Sequence, residues 1–211
     1  MNKKARTILS LAVSLSLLGL AGCGGNTAKS DTVNIKITLS NDKEIEAELY
    51  PKIAPKTVEN FVKLIEEDFF EGLIFHRVIQ GFMIQGGGYD ESFYEGNFSQ
   101  KETDTIKGEF NSNGFKNELK HERGVLSMAR AQDPNSASSQ FFIMHENSPH
   151  LDGDYAAFGK VTKGMEVVDE IAEGKTTSID GEIEYMGKTY LQTMTDVPET
   201  PIAIKKIEII K

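Results

Sequence analysis

Residues 75–88 read FHRVIQGFMIQGGG, and Arg77 is the only fixed charge in this stretch. Two short strand patterns overlap it, over residues 73–79 and 82–85. Between them, Gln80-Gly81 has the composition of a turn. The stretch therefore predicts two strands joined by a tight turn.

Strict alternation in the second of these strands predicts the direction of its side chains. Phe82 and Ile84 are expected on one face, with Met83 and Gln85 on the other. Arg77 has no acidic neighbour in sequence, so it lacks an obvious salt-bridge partner. It is interpreted either as a donor available to a ligand or as a solvated strand residue, since strands often carry an outward charge.

Two further motifs follow along the chain. Residues 124–145 read GVLSMARAQDPNSASSQFFIMH, and residues 151–161 read LDGDYAAFGKV. Together with the first stretch, these motifs closely resemble the cyclophilins, a family of peptidyl-prolyl cis-trans isomerases. The resemblance covers residues 33–211. It implies a mainly-β fold, a closed eight-stranded antiparallel barrel capped by two α-helices.

The same resemblance implies the roles of individual residues. Arg77 and Gln85 would be catalytic, with the guanidinium beneath the prolyl nitrogen and the amide on the substrate backbone. The substrate-binding residues that it implies are Phe82, Met83, Ala129, Arg130, Ala131, Gln140, Phe142, His150, Leu151 and Tyr155. Rotation about a prolyl bond breaks no covalent bond, so neither a cofactor nor a metal is expected.

Three of these positions depart from the common family pattern. Arg130 stands where many relatives have Asn, and Tyr155 stands where animal relatives often have His. His150 stands where many relatives have Trp, and its smaller, partly polar ring offers less apolar contact. The expected ligands are proline-containing peptides, with weak cyclosporin binding at most.

Local patterns predict the elements around these motifs. Residues 33–49 alternate about a turn and predict an antiparallel hairpin, and Pro55 opens an amphipathic helix. A second helix is predicted over residues 165–174, and a final strand over residues 202–210 slips in phase at Lys205-Lys206, which predicts a bulge. Pattern alone fits either a barrel or a sandwich, and the resemblance favours the barrel.

The amino-terminal region has the pattern of an export signal. Three basic residues precede an uncharged apolar run, residues 8–20, that is too short to span a membrane. Residues 20–23 read LAGC and look like the lipobox of bacterial lipoproteins. This likeness implies a signal peptide over residues 1–22, lipidation of Cys23 and a flexible tether over residues 23–32. The expected location is the extracytoplasmic face of the cell membrane, held by lipid.

The chain is acidic, with a formal net charge of -9. Residues 1–22 hold three basic and no acidic side chains, so the predicted mature chain keeps 20 basic against 32 acidic residues. Nucleic-acid binding needs clustered Lys and Arg, and so does electrostatic binding to an anionic membrane. The charge therefore argues against nucleic-acid partners and leaves membrane attachment to the lipid.

Several side chains of the kind that bind metals occur in the chain, at positions His121, Glu122, His145, Glu146 and His150. Their spacings match no known ligand motif. No metal site is therefore expected.

Residues 178–196 read SIDGEIEYMGKTYLQTMTD and form an apparent insertion before the last strand. Gly187 lies between two short apolar-polar runs, which predicts an extra hairpin. The sequence assigns no role to this hairpin.

The expected function is a peptidyl-prolyl cis-trans isomerase that assists the folding of exported proteins outside the cytoplasmic membrane. One alternative is a binding module or chaperone that holds proline-containing peptides in the same groove without useful turnover. Another is a solute-binding lipoprotein, which is disfavoured because such proteins usually need two lobes and this chain has residues for one.

Overall fold

The computed structural model describes residues 32–185 and 187–211. The predicted signal peptide, the predicted lipidation site Cys23 and the predicted tether up to residue 31 lie outside the described residues. Within the described range, no helix is both long enough and apolar enough to cross a bilayer.

Ten strands and two α-helices follow one another over the described residues. They are β1 (Val33–Leu39), β2 (Glu44–Leu49), α1 (Pro55–Glu66), β3 (Phe75–Ile79), β4 (Met83–Gly86), β5 (Val125–Met128), β6 (Phe141–Met144), β7 (Ala157–Lys163), α2 (Met165–Ala172), β8 (Thr176–Tyr185), β9 (Lys188–Pro198) and β10 (Ile204–Ile210). The long connection between β4 and β5 holds two 3-10 turns, Glu91–Glu95 and Asn111–Asn113.

Eight of the strands form one antiparallel sheet in the order β10-β1-β2-β7-β5-β6-β4-β3. The hairpins predicted over residues 33–49 and 73–85 are its β1–β2 and β3–β4 pairs. The predicted mainly-β fold, with eight antiparallel strands and two helices, is confirmed.

The barrel differs from the prediction in being open between its edge strands, β3 and β10. At this seam the pairing is reduced to an isolated bridge between Ile74 and Ala203, next to which the Phe75 N–H donates to the Ile202 carbonyl at 2.9 Å. On the other side of the bridge, the Ile204 N–H donates to the Leu73 carbonyl at 2.8 Å. This short seam holds the two edges together.

One large apolar core lies inside the curved sheet, and α1 packs against it. Phe61 of α1 is fully buried, with its ring 4.9 Å from that of Phe70, 5.2 Å from Phe141 and 5.1 Å from Phe158. Aromatic rings at these distances stabilise a core beyond the area that they bury. The interior is therefore filled by side chains.

The amino terminus of α1 is capped from a distant part of the chain. The helix begins at Pro55, as predicted, but Ala54 before it has no side-chain oxygen with which to cap the helix. The carboxylate of buried Glu109 instead accepts hydrogen bonds from the N–H of Lys56 at 3.0 Å and of Thr57 at 2.8 Å. A carboxylate at a helix amino terminus satisfies unpaired donors and complements the helix dipole. This cap ties the β4–β5 connection to the helix.

Two smaller predictions also agree with the structure. The second helix, α2, ends at Ala172, close to the predicted stop at Gly174. In the β1–β10 ladder, Thr38 pairs with Lys206 and Leu39 pairs with Ile204, so Lys205 forms the predicted bulge.

β8 and β9 form a separate two-stranded hairpin that turns at Gly187, where the sequence predicts one. The base of the hairpin packs on a second apolar cluster, which contains Ile74, Tyr89, Phe93, Phe98, Val197 and Ala203. Farther along, the Glu182 N–H donates to the Gly96 carbonyl at 2.9 Å. Leu191, toward the tip, is 86% exposed. The hairpin is thus fixed at its base, and toward its tip it exposes Tyr190 and Leu191.

Candidate active site

A groove of about 570 Å³ lies where β3, β4 and β6 run side by side, next to the segment that follows β5. Every predicted catalytic and substrate-binding residue except His150 lines this groove. The predicted residues found there are Arg77, Phe82, Met83, Gln85, Ala129, Arg130, Ala131, Gln140, Phe142, Leu151 and Tyr155. The fold therefore brings together residues from three distant motifs.

Alternation along β6 explains why one phenylalanine of a pair faces the groove. Phe141 and Ile143 belong to the barrel core, whereas Phe142 and Met144 belong to a different apolar cluster on the other face of the sheet. β6 is therefore apolar at every position because both of its faces pack against other side chains. Its inner face packs in the barrel core, and its outer face contributes to the apolar cluster that lines the groove.

The outer cluster forms the apolar part of the groove. Met83, Phe142 and Leu151 are buried in it, and Phe82 and Tyr155 pack against it while remaining partly exposed. The rings of Phe142 and Tyr155 meet edge to face, with 6.0 Å between their centroids. These side chains make a concave apolar surface with one open side, suited to a small apolar ring.

The predicted alternation around Phe82 is wrong. Phe82 and Met83 both line the groove, whereas Ile84 is fully buried in the barrel core. The reason is that β4 begins at Met83, so Phe82 still belongs to the turn and does not follow the two-residue period of the strand.

Arg77 and Gln85 are direct partners across the β3–β4 ladder. The Gln85 amide donates to Gln140 Oε1 at 2.8 Å, which orients it. The nearest carboxylate to Arg77 is that of Asp196, with 3.8 Å between Nε and Oδ2, too long for a hydrogen bond. Within the described part of the chain, the Arg77 guanidinium donates no side-chain hydrogen bond. Its side chain is 43% exposed and lines the same groove as Phe82 and Phe142, so its N–H groups are accessible to a ligand.

His76 lies beside Arg77, and no motif in the sequence marks it as part of the site. Its ring is buried, 4.7 Å from the ring of Tyr89 and 5.8 Å from that of Phe93. Burial, together with the positive charge of Arg77, lowers the pKa of His76 to about 3. The imidazole is therefore neutral near pH 7 and adds no charge to this part of the groove.

A buried polar group supports Phe142 from behind. His121 stacks on Phe142 with 6.1 Å between ring centroids, and its Nδ1–H donates to Asp152 Oδ1 at 3.1 Å. Its Nε2 accepts from the Ser127 hydroxyl at 3.0 Å. Burial lowers the pKa of His121 against the opposing effect of Asp152, which agrees with a neutral ring. Ser127 is fully buried, so this Ser-His-Asp order is not a nucleophile.

The segment after β5 forms one edge of the groove, and part of its backbone is already bonded. The Ala129 N–H donates to the Gln140 carbonyl at 2.9 Å, and the Ala131 N–H donates to Ser136 Oγ at 2.9 Å. The guanidinium of Arg130 lies over the Tyr155 ring at 4.7 Å. The N–H groups of Ala129 and Ala131 are therefore already used. A peptide that added a strand here would bond to the backbone of Arg130 and donate to the carbonyls of this segment.

His150 lies just outside the groove lining. Its ring stacks on Phe82 with 5.6 Å between centroids and 29° between planes. It therefore supports the rim of the apolar pocket and leaves part of the Phe82 ring uncovered.

The groove also contains residues that no motif marks. Met194 and Thr195, from β9 of the hairpin, line it next to Arg77. They are more than 100 positions away from Arg77 in sequence, so only the docking of the hairpin brings them into the site. Among the described residues, no cluster of three or more His, Cys, Asp or Glu side chains is arranged to hold a metal.

Comparisons with known proteins agree with this geometry. The family model described as cyclophilin type peptidyl-prolyl cis-trans isomerase/CLD matches residues 34–209. Peptidyl-prolyl cis-trans isomerase A of Dickeya dadantii is 36% identical over 207 residues, which are 95% of this chain and 97% of the relative. Peptidyl-prolyl cis-trans isomerase B of Bacillus subtilis is 46% identical over 136 residues, 64% of this chain and 88% of the relative.

A solved structure shows the same architecture. The cyclophilin type peptidyl-prolyl cis-trans isomerase of Cryptosporidium parvum has a TM-score of 0.66 and 28% sequence identity, covering 85% of this chain and 98% of that one. The same protein has also been crystallised in the presence of the dipeptide Ala-Pro. On the combined evidence of motifs, fold and relatives, the chain belongs to the cyclophilin-type peptidyl-prolyl cis-trans isomerases and is an enzyme of that activity.

Proposed function

We propose that cis-trans isomerisation of the X-Pro peptide bond takes place in this groove, and that Arg77 stabilises the twisted amide. The observation that carries this proposal is a guanidinium with unused N–H groups in the same groove as the pocket of Phe82 and Phe142. In the planar amide the nitrogen lone pair is delocalised and accepts hydrogen bonds poorly. In the twisted amide the nitrogen is pyramidal and basic, so a fixed donor binds the transition state better than the ground state.

The size of the required effect is consistent with such a site. The uncatalysed barrier is about 20 kcal/mol, and the uncatalysed times are about 10 to 100 s. A millisecond step needs this barrier lowered by about 5 to 7 kcal/mol. A charge-assisted hydrogen bond in a partly apolar groove provides part of this amount, and fixing the proline ring and its neighbouring backbone provides the rest.

The remaining residues would position the substrate. Phe82, Met83, Phe142 and Leu151 would hold the proline ring, and Gln85, oriented by Gln140, would bond the substrate backbone. The crystals of the Cryptosporidium relative with Ala-Pro support proline-containing peptides as ligands. Because His150 covers less of Phe82 than an indole would, the same proposal includes weak cyclosporin binding at most.

A charge-conserving substitution tests the role of Arg77. Lysine keeps the positive charge but lacks the planar fork that can bond a nitrogen and a neighbouring carbonyl together. We expect Arg77→Lys to lower kcat/KM by about tenfold or more in a protease-coupled assay on an X-Pro peptide. Arg123→Lys is the matched control, because Arg123 pairs with Asp169 outside the groove. Equal activity of Arg77→Lys and wild type would rule out the fork as the stabilising group.

We further propose that the mature protein is anchored by lipid at Cys23 and assists the folding of exported proteins at the extracytoplasmic face of the cell membrane. The uncharged apolar run of residues 8–20 and the LAGC sequence support this location. Two acyl chains hold a protein on a membrane where one chain is marginal. The isomerisation needs no ATP, so it can proceed outside the cytoplasm.

The mass of the native amino terminus tests this location. We expect a mature chain that starts at Cys23 and carries the added mass of lipid, and we expect Cys23→Ser to leave the membrane fraction. Ser30→Ala, in the predicted tether, is the control and should stay with the membrane. An unmodified chain that retains residues 1–22 would contradict the proposal, and so would a Cys23→Ser variant that remains membrane-bound.

A further inference from the structure

The hairpin β8–β9 adds a wall to the substrate groove. Following the strand order, the groove runs from the segment after β5, across β6 and β4, to Arg77 on β3. β9 contacts β3 beyond that point, and its Met194 and Thr195 line the groove. A substrate lying across the sheet therefore meets residues 129–131 on one flank of its proline and the hairpin on the other flank.

A β-bulge aims the end of β9 at Arg77. Thr177 pairs with Val197 and Ile179 pairs with Met194, so two residues of β9, Thr195 and Asp196, face one residue of β8. Asp196 has a φ of 60°, in the left-handed region that Asp tolerates better than most residues. Bulges beside active sites commonly redirect a side chain, and here the bulge places Asp196 Oδ2 at 3.8 Å from Arg77 Nε.

The redirected carboxylate is held in place. Val197, the next residue, is fully buried in the cluster under the hairpin, and the Tyr94 hydroxyl donates to the Pro198 carbonyl at 2.9 Å. The Thr195 hydroxyl donates to Asp196 Oδ2 at 3.1 Å. The side chain of Asp196 is 40% exposed and lies beside the groove, next to the lining residues Thr195 and Arg77. It therefore acts as a fixed charge at the edge of the site.

The charges around the groove give this carboxylate a specific effect. Among the described residues that line the groove, the ionised side chains are two cations, Arg77 and Arg130, while His76 is neutral near pH 7. Cations alone would favour substrates with acidic residues next to proline. A carboxylate close to Arg77 offsets that attraction on the hairpin flank and repels an acidic side chain there.

We propose that the hairpin is a specificity wall and that Asp196 determines the charge preference of the enzyme for the residue beside proline on that flank, disfavouring acidic residues. This inference rests on the function proposed for the groove. In this proposal the inserted hairpin determines which peptides are preferred as substrates, and it takes no part in stabilising the twisted amide.

Asp196→Asn tests the proposal, since Asn also tolerates the left-handed backbone and removes only the charge. Exchange NMR would give kcat/KM for peptides with Lys or Glu directly before or directly after proline. We expect the Lys/Glu ratio to fall by about threefold to tenfold at one of the two positions, with a smaller change in 1 M salt. Asp180→Asn is the matched control, because Asp180 lies on the same hairpin and bonds Thr193.

Two outcomes would overturn the proposal. One is an unchanged Lys/Glu ratio at both positions in Asp196→Asn. The other is an equal change in Asp180→Asn, which would trace the effect to net charge. A peptide with alanine on both sides of proline separates this proposal from the one that it rests on. If Arg77→Ala turns that peptide over at the wild-type rate, the function proposed for the groove is wrong whatever the charge preference shows.

Discussion

The surroundings of Arg77 leave its guanidinium without a side-chain hydrogen bond among the described residues. His76 beside it is neutral near pH 7, and the carboxylate of Asp196 is 3.8 Å away, which allows attraction without a hydrogen bond. Behind the opposite wall of the groove, His121 is also held neutral and supports Phe142. The neutral buried imidazoles thus add no positive charge beside Arg77, the residue proposed to act in catalysis.

His150 offers a second test at the residue scale. Replacing it with Trp would cover more of Phe82 and extend the apolar rim, so we expect His150→Trp to tighten cyclosporin binding by about tenfold, roughly 1.4 kcal/mol. The chain has no Trp, so the new indole also supplies the fluorescence signal for the titration. Tyr190→Trp, at an exposed position on the hairpin, is the control. Equal affinities of the two variants would show that the rim does not limit cyclosporin binding.

The sequence predicted the groove residues that lie in recognisable motifs. It missed those that reach the groove only through tertiary contacts. Arg77 and Gln85 are eight positions apart and become ladder partners through a tight turn, which is a local property. Met194 and Thr195 reach the groove, and Asp196 reaches Arg77, because the hairpin docks on β3, and no local pattern encodes that contact. Their approach depends on an apolar cluster built from four separate segments.

At the scale of elements, α1 depends on a residue that its own sequence does not contain. Glu109 accepts hydrogen bonds from the backbone of Lys56 and Thr57 and from the Thr57 hydroxyl at 2.8 Å. Local signals predicted the start of the helix at Pro55, but the cap lies more than 50 positions away in a connection that has no periodic pattern. The prediction of the element was therefore local, whereas its stabilisation is tertiary.

Substituting this cap should destabilise the protein measurably. We expect Glu109→Gln to lower the free energy of unfolding by about 1 to 3 kcal/mol, because a neutral amide accepts fewer and weaker hydrogen bonds from buried donors. Denaturant titration measures the change. Glu118→Gln is the control, since Glu118 is exposed and pairs with Lys116 in a surface ion pair. A loss no larger than that of the control would show that α1 needs no cap from the connection.

At the scale of the whole molecule, the buried imidazoles make stability depend on pH. The unfolded chain binds a proton at each His below about pH 6.5, whereas folding lowers the pKa of His76 to about 3 and also lowers that of His121. The unfolded state therefore holds more protons than the folded state in this window. Stability is present above about pH 6.5 and is lost as the pH falls toward the folded-state pKa values.

The contribution of His76 can be isolated. Between pH 7 and pH 5, protonation of His76 in the unfolded chain should lower the free energy of unfolding by about 2 kcal/mol. His76→Phe suits the apolar surroundings of Tyr89 and Phe93 and cannot titrate, so its stability should fall less over the same range. Carboxylates titrate in both proteins, and the difference between the two curves therefore reports His76 alone. Identical pH dependence would mean that His76 is protonated in the folded protein at pH 5.

The whole barrel also shows where prediction from motifs ends. Family resemblance implied a closed eight-stranded barrel, and the strand count agrees with it. The edge strands β3 and β10 nevertheless meet at an isolated bridge between Ile74 and Ala203 instead of a continuous ladder. This contact joins distant parts of the chain, so no local motif encodes how far the pairing extends.

The central claim is that Arg77 acts on the rotating amide more than on the bound ground state. Exchange NMR on one X-Pro peptide measures both the cis-trans rate on the enzyme and the dissociation constant, for wild type and for Arg77→Ala. We expect the rate to fall by about a hundredfold or more while the dissociation constant changes by less than about fivefold. An unchanged rate, or a loss explained entirely by weaker binding, would contradict the account and favour a groove that only holds peptides.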